Sequence, residues 1–261
     1  MNRYISIFKI SVVSTIGVLT LSSCQSKAES KGTETDTIPH IKVIEKIDTT
    51  INIKNMEYPT VTNTFETFDF ETYEQRPPAD ANGYRNSTYI QHFPNGIVTI
   101  MDKAAEANGG GFYCQIYYPE SPFCVLKIYY VNGNIKEKGL TYVQGFDKGI
   151  WHEFDPSGKL VKDTNYDKPF IFTFEDVAKY CEQNGIKIEK GYESLEGKGV
   201  KGSFITYIFR DCNAKACKWT IRYRIRDPQA PQGITEKTVI LDGKTGKVIS
   251  KSQVPYYIFK E

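Results

Sequence analysis

The chain has 261 residues, with 33 Lys plus Arg against 31 Asp plus Glu, 18 Tyr and 15 Phe. So even a charge balance excludes the basic excess expected of a nucleic-acid binder. A hydrophobic content of 40% is enough to bury one moderate core or two small ones, and two are expected. Short alternating runs broken by Gly, Pro and Asn predict a β-rich α+β protein.

At the N-terminus, Arg3 and Lys9 precede an apolar run, Ile10 to Leu21, that is diluted by Ser11, Ser14, Thr15 and Gly17. The run falls short of the roughly 20 apolar residues that a spanning helix needs, and it reads as the hydrophobic part of a signal peptide. It ends in Leu21-Ser22-Ser23-Cys24, which resembles the bacterial lipobox at all four positions. The resemblance implies that residues 1–23 are a lipoprotein signal peptide and that the Cys24 thiol carries lipid. An anchor of two or more acyl chains holds a protein stably on a membrane. Gln25 stands where an aspartate retains some lipoproteins at the inner membrane, so the expected location is the cell envelope at the outer membrane, facing the periplasm or the surface.

Residues 24–60 are rich in Ser, Thr, Lys and Glu, with Pro39 and Pro59 interrupting one weakly alternating segment, Ile41 to Ile53. They read as a flexible linker that lifts the folded part off the membrane. Asp36-Thr37-Ile38 and Asp48-Thr49-Thr50 resemble an O-glycosylation acceptor motif of exported bacterial proteins, and both a decorated and an undecorated linker are compatible with them.

Residues 61–167 are dominated by a repeat. Phe93-Pro94-Asn95-Gly96-Ile97, Tyr130-Val131-Asn132-Gly133-Asn134-Ile135 and Phe154-Asp155-Pro156-Ser157-Gly158-Lys159-Leu160 each place an aromatic before a glycine-containing turn and an aliphatic after it. Each is a predicted hairpin. The glycines are 37 and 25 residues apart, so the period is irregular. Cys114 and Cys124 bracket Tyr117-Tyr118-Pro119-Glu120-Ser121-Pro122, and Cys212 and Cys217 bracket Asn213-Ala214-Lys215-Ala216. In an oxidising compartment both pairs are predicted to be local disulfides, with Cys181 left over. A zinc site needs about four converging ligands, which neither pair gathers.

Tyr129-Tyr130-Val131-Asn132-Gly133-Asn134-Ile135-Lys136-Glu137-Lys138-Gly139, followed by Gly149-Ile150-Trp151-His152-Glu153-Phe154, resembles the MORN-like repeat family, in the variant labelled antitoxin-type. That resemblance implies a meandering antiparallel sheet with a binding or scaffolding role. Neighbouring positions of a strand point to opposite faces, so one member of each of the pairs Tyr117/Tyr118 and Tyr129/Tyr130 is expected outside the core. Together with Trp151 they form the predicted binding surface, since Tyr and Trp are enriched among binding hot spots.

Residues 168–261 are predicted to form a small helix-plus-antiparallel-sheet domain. Thr173 is the expected N-cap; Phe174, Val177, Ala178 and Cys181 share one helical face, and Gly185 is the expected C-terminal cap. Predicted strands are 204–210, 219–225, 235–241 and 247–250. Arg222, Arg224 and Arg226 alternate with Trp219, Ile221, Tyr223 and Ile225, predicting one basic, wet face. Val239-Ile240-Leu241-Asp242-Gly243-Lys244-Thr245-Gly246-Lys247-Val248-Ile249 resembles the closing hairpin of the PepSY family, which implies an inhibitory or binding role.

Catalytic motifs are thin. Gly243-Lys244-Thr245 lacks the preceding glycine of a phosphate-binding loop, Thr238 standing in its place. His40, His92 and His152 are far apart, with His152 expected half-exposed on a strand. No cofactor and no metal is expected. The sequence points to a non-catalytic, lipid-anchored binding or scaffolding module for a protein or polysaccharide partner. An immunity or inhibitor lipoprotein acting on a secreted toxin or peptidase is the alternative, and an envelope hydrolase with a dispersed site the third reading.

Overall fold

The computed structural model describes residues 58–79, 81, 86–105, 109–142, 145–192, 206–213 and 215–257. The expected signal peptide, the expected lipidation site Cys24 and most of the expected linker lie outside these residues. A short helix, α1 (Phe70–Tyr73), precedes a seven-stranded antiparallel meander: β1 (Tyr89–His92), β2 (Val98–Lys103), β3 (Phe112–Tyr117), β4 (Phe123–Tyr129), β5 (Ile135–Tyr142), β6 (Phe146–Phe154) and β7 (Leu160–Asn165). Helix α2 (Phe174–Gln183) follows. A four-stranded antiparallel sheet completes the chain: β8 (Tyr207–Cys212), β9 (Cys217–Arg226), β10 (Ile234–Asp242) and β11 (Val248–Pro255), in the order β11-β10-β9-β8.

The three repeat turns share one hydrogen-bond scheme. Gly96 N–H donates to Phe93 O, Gly133 N–H to Tyr130 O and Gly158 N–H to Asp155 O, each at 2.9 Å. All three glycines have positive φ (81°, 84° and 90°), the left-handed conformation that an L side chain adopts only under strain. Asn95, Asn132 and Asp155 each accept a hydrogen bond from the backbone N–H two residues on, which closes the turn from inside.

An element without repeat character holds the second and third of these turns from outside. The segment from Tyr58 through α1 runs along the sheet as a strap. Phe68 N–H donates to Gly133 O at 2.8 Å and Ile135 N–H to Glu66 O at 3.0 Å. The Phe70 ring lies where a Cβ on Gly133 would sit, and the Phe65 ring does the same at Gly158. Phe68 stacks on Phe112 with centroids 4.6 Å apart and, with Tyr73, Tyr129, Ile135 and Phe154, closes a core cluster at that end of the sheet.

Helix α2 begins in a capping box in which Thr173 and Asp176 satisfy each other's backbone, and it ends at Gly185 with positive φ. Its face of Phe174, Val177, Ala178 and Cys181 packs on Ile208, Trp219, Ile221, Val239 and Leu241. The same cluster includes Phe123, Tyr142 and Phe146 from the meander. The position expected to divide two domains, near residue 168, therefore separates the two sheets along the chain, while their side chains meet in one core. Around that core, Arg210 donates to Asp167 at 2.7 Å and to the carbonyl of Asp147, and Lys148 reaches Asp167 at 3.4 Å and Glu175 at 2.8 Å. The guanidinium of Arg210 lies 4.9 Å from the centroid of Phe146 and 5.8 Å from that of Trp219, one ring from each sheet.

Candidate binding surfaces

The pairing register places one residue from every strand of the meander in a single row: Tyr89, Met101, Cys114, Lys127, Lys138, His152 and Asp163. The row is apolar at the β1 end and ionic from β4 onward. Glu66 of the strap lies over it, accepting from Lys127 and from Lys138 at 2.8 Å, and Lys138 also donates to Thr64 O at 2.7 Å. Lys138 is 2% exposed. Burial pushes the Glu66 carboxyl up, but the two ammonium groups outweigh it and hold the carboxyl below its ordinary range. His152 is buried and its Nδ1 lies 2.7 Å from Asp163 Oδ1. This corrects the half-exposed position expected for it: the row turns His152 toward the strap side, where Asp163 supplies a partner. The cross-strand neighbours of His152 are Lys138 and Asp163 rather than a hydroxyl or thiol, so its arrangement is that of a polar row inside a sheet.

The predicted aromatic surface is largely internal. Tyr117, Tyr129 and Trp151 are buried, and Tyr118 and Tyr130 are half-buried. One tyrosine of each pair is thus buried and the other half-buried. The two half-buried ones lie toward opposite ends of β4, about 20 Å apart at the usual strand rise, and do not form one patch. Trp151 is inside because Gly139 opposite has no side chain: a Cβ there would come within 2.3 Å of the indole, whose Nε1 donates to Leu140 O at 3.0 Å.

The predicted Cys114–Cys124 disulfide is also corrected, since both are free, buried thiols. Cys124 pairs with Tyr117 across β3 and β4, and Cys114 lies an odd number of positions from Tyr117. The two thiols therefore point to opposite faces of the sheet, and a bridge would require a different register. Burial pushes both up to about 12, and Cys181 likewise. Cys212 and Cys217, which face each other across β8 and β9, form the disulfide as expected. Among the described residues no cluster of His, Cys, Asp and Glu is arranged to hold a metal ion.

The basic face of the C-terminal sheet is partly neutralised. Glu236 lies between Arg222 and Arg224, at 3.6 and 3.3 Å, and Arg224 covers the Tyr256 ring at 3.6 Å. The opposite face carries α2, which reaches across β8 to β10 and leaves β11 uncovered. A groove of about 390 Å³ remains there, lined by Tyr180 of α2 and Asn184 at its C-cap, Tyr223 of β9, and Lys237, Lys251 and Gln253 of the last hairpin. Strand β11 runs further than the expected 247–250, and every one of its residues is exposed.

No family model matches the chain, and neither a curated protein nor a solved structure matches it. Among the described residues no helix is long and apolar enough to cross a membrane.

Proposed function

We propose that the protein is a lipid-anchored, non-catalytic binding module of the cell envelope, and that its partner engages the C-terminal sheet at the groove between α2 and β11. The observation that carries this reading is the groove itself, an open concavity with two tyrosines and two lysines beside a strand exposed throughout. A meander is the architecture that the MORN-like resemblance implies, and both the MORN-like and the PepSY-like families are associated with binding. The PepSY-like resemblance also supports the second reading, an inhibitor of a secreted peptidase or toxin, because an inhibitor needs just such an exposed docking edge. The surface tyrosines Tyr118 and Tyr130 are secondary candidates for contact with a protein or polysaccharide.

Fractionation of cells expressing the wild type and Cys24→Ser tests the anchor. Wild type is expected in the outer-membrane fraction with the mass of a lipidated chain, and the variant soluble or unprocessed. A lipid-free wild type in the soluble fraction overturns the anchor. Cross-linked capture from envelopes, repeated with Tyr223→Ala, tests the binding site, and undiminished capture by a folded variant moves it elsewhere.

A further inference from the structure

We propose that the free edge of β11 takes an extended acidic polypeptide segment, which adds to the C-terminal sheet as a fifth strand. The proposal rests on the binding reading of the neighbouring groove and specifies the chemistry of what enters it.

Strand β11 ends the sheet order, and its ladder with β10 is regular from Thr235↔Pro255 to Ile240↔Ser250 before a bulge. Among the described residues no strand pairs with its other side. Alternate residues there direct N–H and C=O groups outward, which is the template for strand addition. Exposed large apolar residues are spread along the strand: Val248 on the groove face, Ile249 at the bulge and Val254 on the arginine face, with Tyr257 just beyond. A partner strand covers such residues without disturbing the core, since no residue of β11 belongs to the main cluster.

Charge selects the partner. Lys237 and Lys251 stand on the groove side, and no carboxylate lines the groove. The nearest acids of the hairpin are committed elsewhere: Glu236 faces the arginines of the other face, and Asp242 accepts from the backbone of Lys244 and Thr245 in its own turn. An added strand turns every second side chain toward the groove face, where carboxylates would meet the ammonium group of Lys251 on the neighbouring strand and that of Lys237 one strand further in. A second copy of this chain fits poorly, because antiparallel pairing centred on Lys251 sets like charges opposite each other.

The test uses the folded mature chain with Cys24→Ser and three blocked eight-residue peptides: alternating Thr-Glu, alternating Thr-Lys, and a Glu-Pro sequence that carries the charge but cannot donate to a ladder. Binding is read by fluorescence anisotropy and the site by amide exchange. The Thr-Glu peptide is expected to bind at least tenfold tighter than either control and to slow exchange of amides between Ser250 and Val254. Lys237→Glu combined with Lys251→Glu should abolish its binding and confer binding of Thr-Lys, an inversion that loss of folding cannot produce. Equal binding of Thr-Glu and Glu-Pro, unchanged exchange along β11, or concentration-dependent self-association through β11 overturns the proposal. If the peptides fail while envelope capture still depends on Tyr223, the groove reading survives and strand addition does not.

Discussion

Glu66 shows how a single side chain can attach an irregular segment to a regular sheet. One oxygen of its carboxylate neutralises the buried Lys138, for which no other ion pair is formed among the described residues, and the second binds Lys127. Removing one member of a buried pair leaves an uncompensated charge, at a cost of about 3–5 kcal/mol. Glu66 is 22% exposed, so Glu66→Ala is expected at the lower end, about 3 kcal/mol at neutral pH by urea unfolding. Because the folded carboxyl is held below its ordinary value, its contribution is fully present above the unfolded value and is lost as pH falls through the folded one. Glu66→Gln should therefore be less stable than wild type at pH 7 and approach it in acid. Asp147 has the opposite sign. Burial raises its carboxyl to about 6 against the partial relief of Arg210, so ionising it costs stability as pH rises toward and past that value. Asp147→Asn, which keeps an oxygen for Thr141, is expected to stabilise by about 1–2 kcal/mol at pH 8, allowing for solvent screening, and to have no effect at pH 4. A variant equally stabilised at both pH values would sever this link between burial and ionisation.

At the scale of elements, the turns, the capped helix and the C-terminal hairpins were legible because their signals are local. Gly96, Gly133 and Gly158 mark turns by the backbone angle they permit, and Thr173 with Asp176 marks a helix start by mutual hydrogen bonding. The strap was not legible. Residues 58–73 lack the alternation of a strand, and the partners of Glu66 lie 61 and 72 residues further along the chain. The cysteines divide in the same way. Cys212 and Cys217 face each other across a hairpin end and bond, while Cys114 and Cys124 bracket an equally plausible turn but fall on opposite faces of a register that the sequence alone does not fix. Native alkylation should leave Cys114, Cys124 and Cys181 unmodified for as long as the protein stays folded, since burial both shields the thiols and suppresses the thiolate. Denaturation without reductant should then expose these three. Reducing Cys212–Cys217 should cost about 2 kcal/mol, the chain-entropy value for so short a loop, by unfolding with and without reductant. Rapid native labelling of Cys114 would contradict its burial beneath the strap side of the sheet.

For the whole molecule, the question is whether two sheets separated along the chain behave as one body. Phe146 of β6 lies 5.3 Å from Trp219 of β9 and 5.8 Å from Phe174 of α2, edge to face or tilted, so the same rings complete both sheets' inner faces. Arg210 and Lys148 bind Asp167 from opposite sides, one from each sheet, and Tyr142 donates to Thr206 O at 3.2 Å. Opening this seam would expose Phe123, Tyr142 and Phe146 of the meander and the rings they meet, Phe174 and Trp219, at roughly 1.5–3 kcal/mol each, a sum comparable with the whole stability of a domain. The sheets should therefore unfold together. The two tryptophans make this measurable, since Trp151 is buried in the meander and Trp219 in the C-terminal sheet. In Trp151→Phe the fluorescence reports only the C-terminal sheet, and in Trp219→Phe only the meander. Each substitution shifts stability on its own account, so each midpoint is compared with the circular-dichroism midpoint of the same variant. The expected outcome is coincidence in both, while a fluorescence transition that precedes the loss of secondary structure in either variant would mean that the seam opens first and that the shared core joins two independently stable halves.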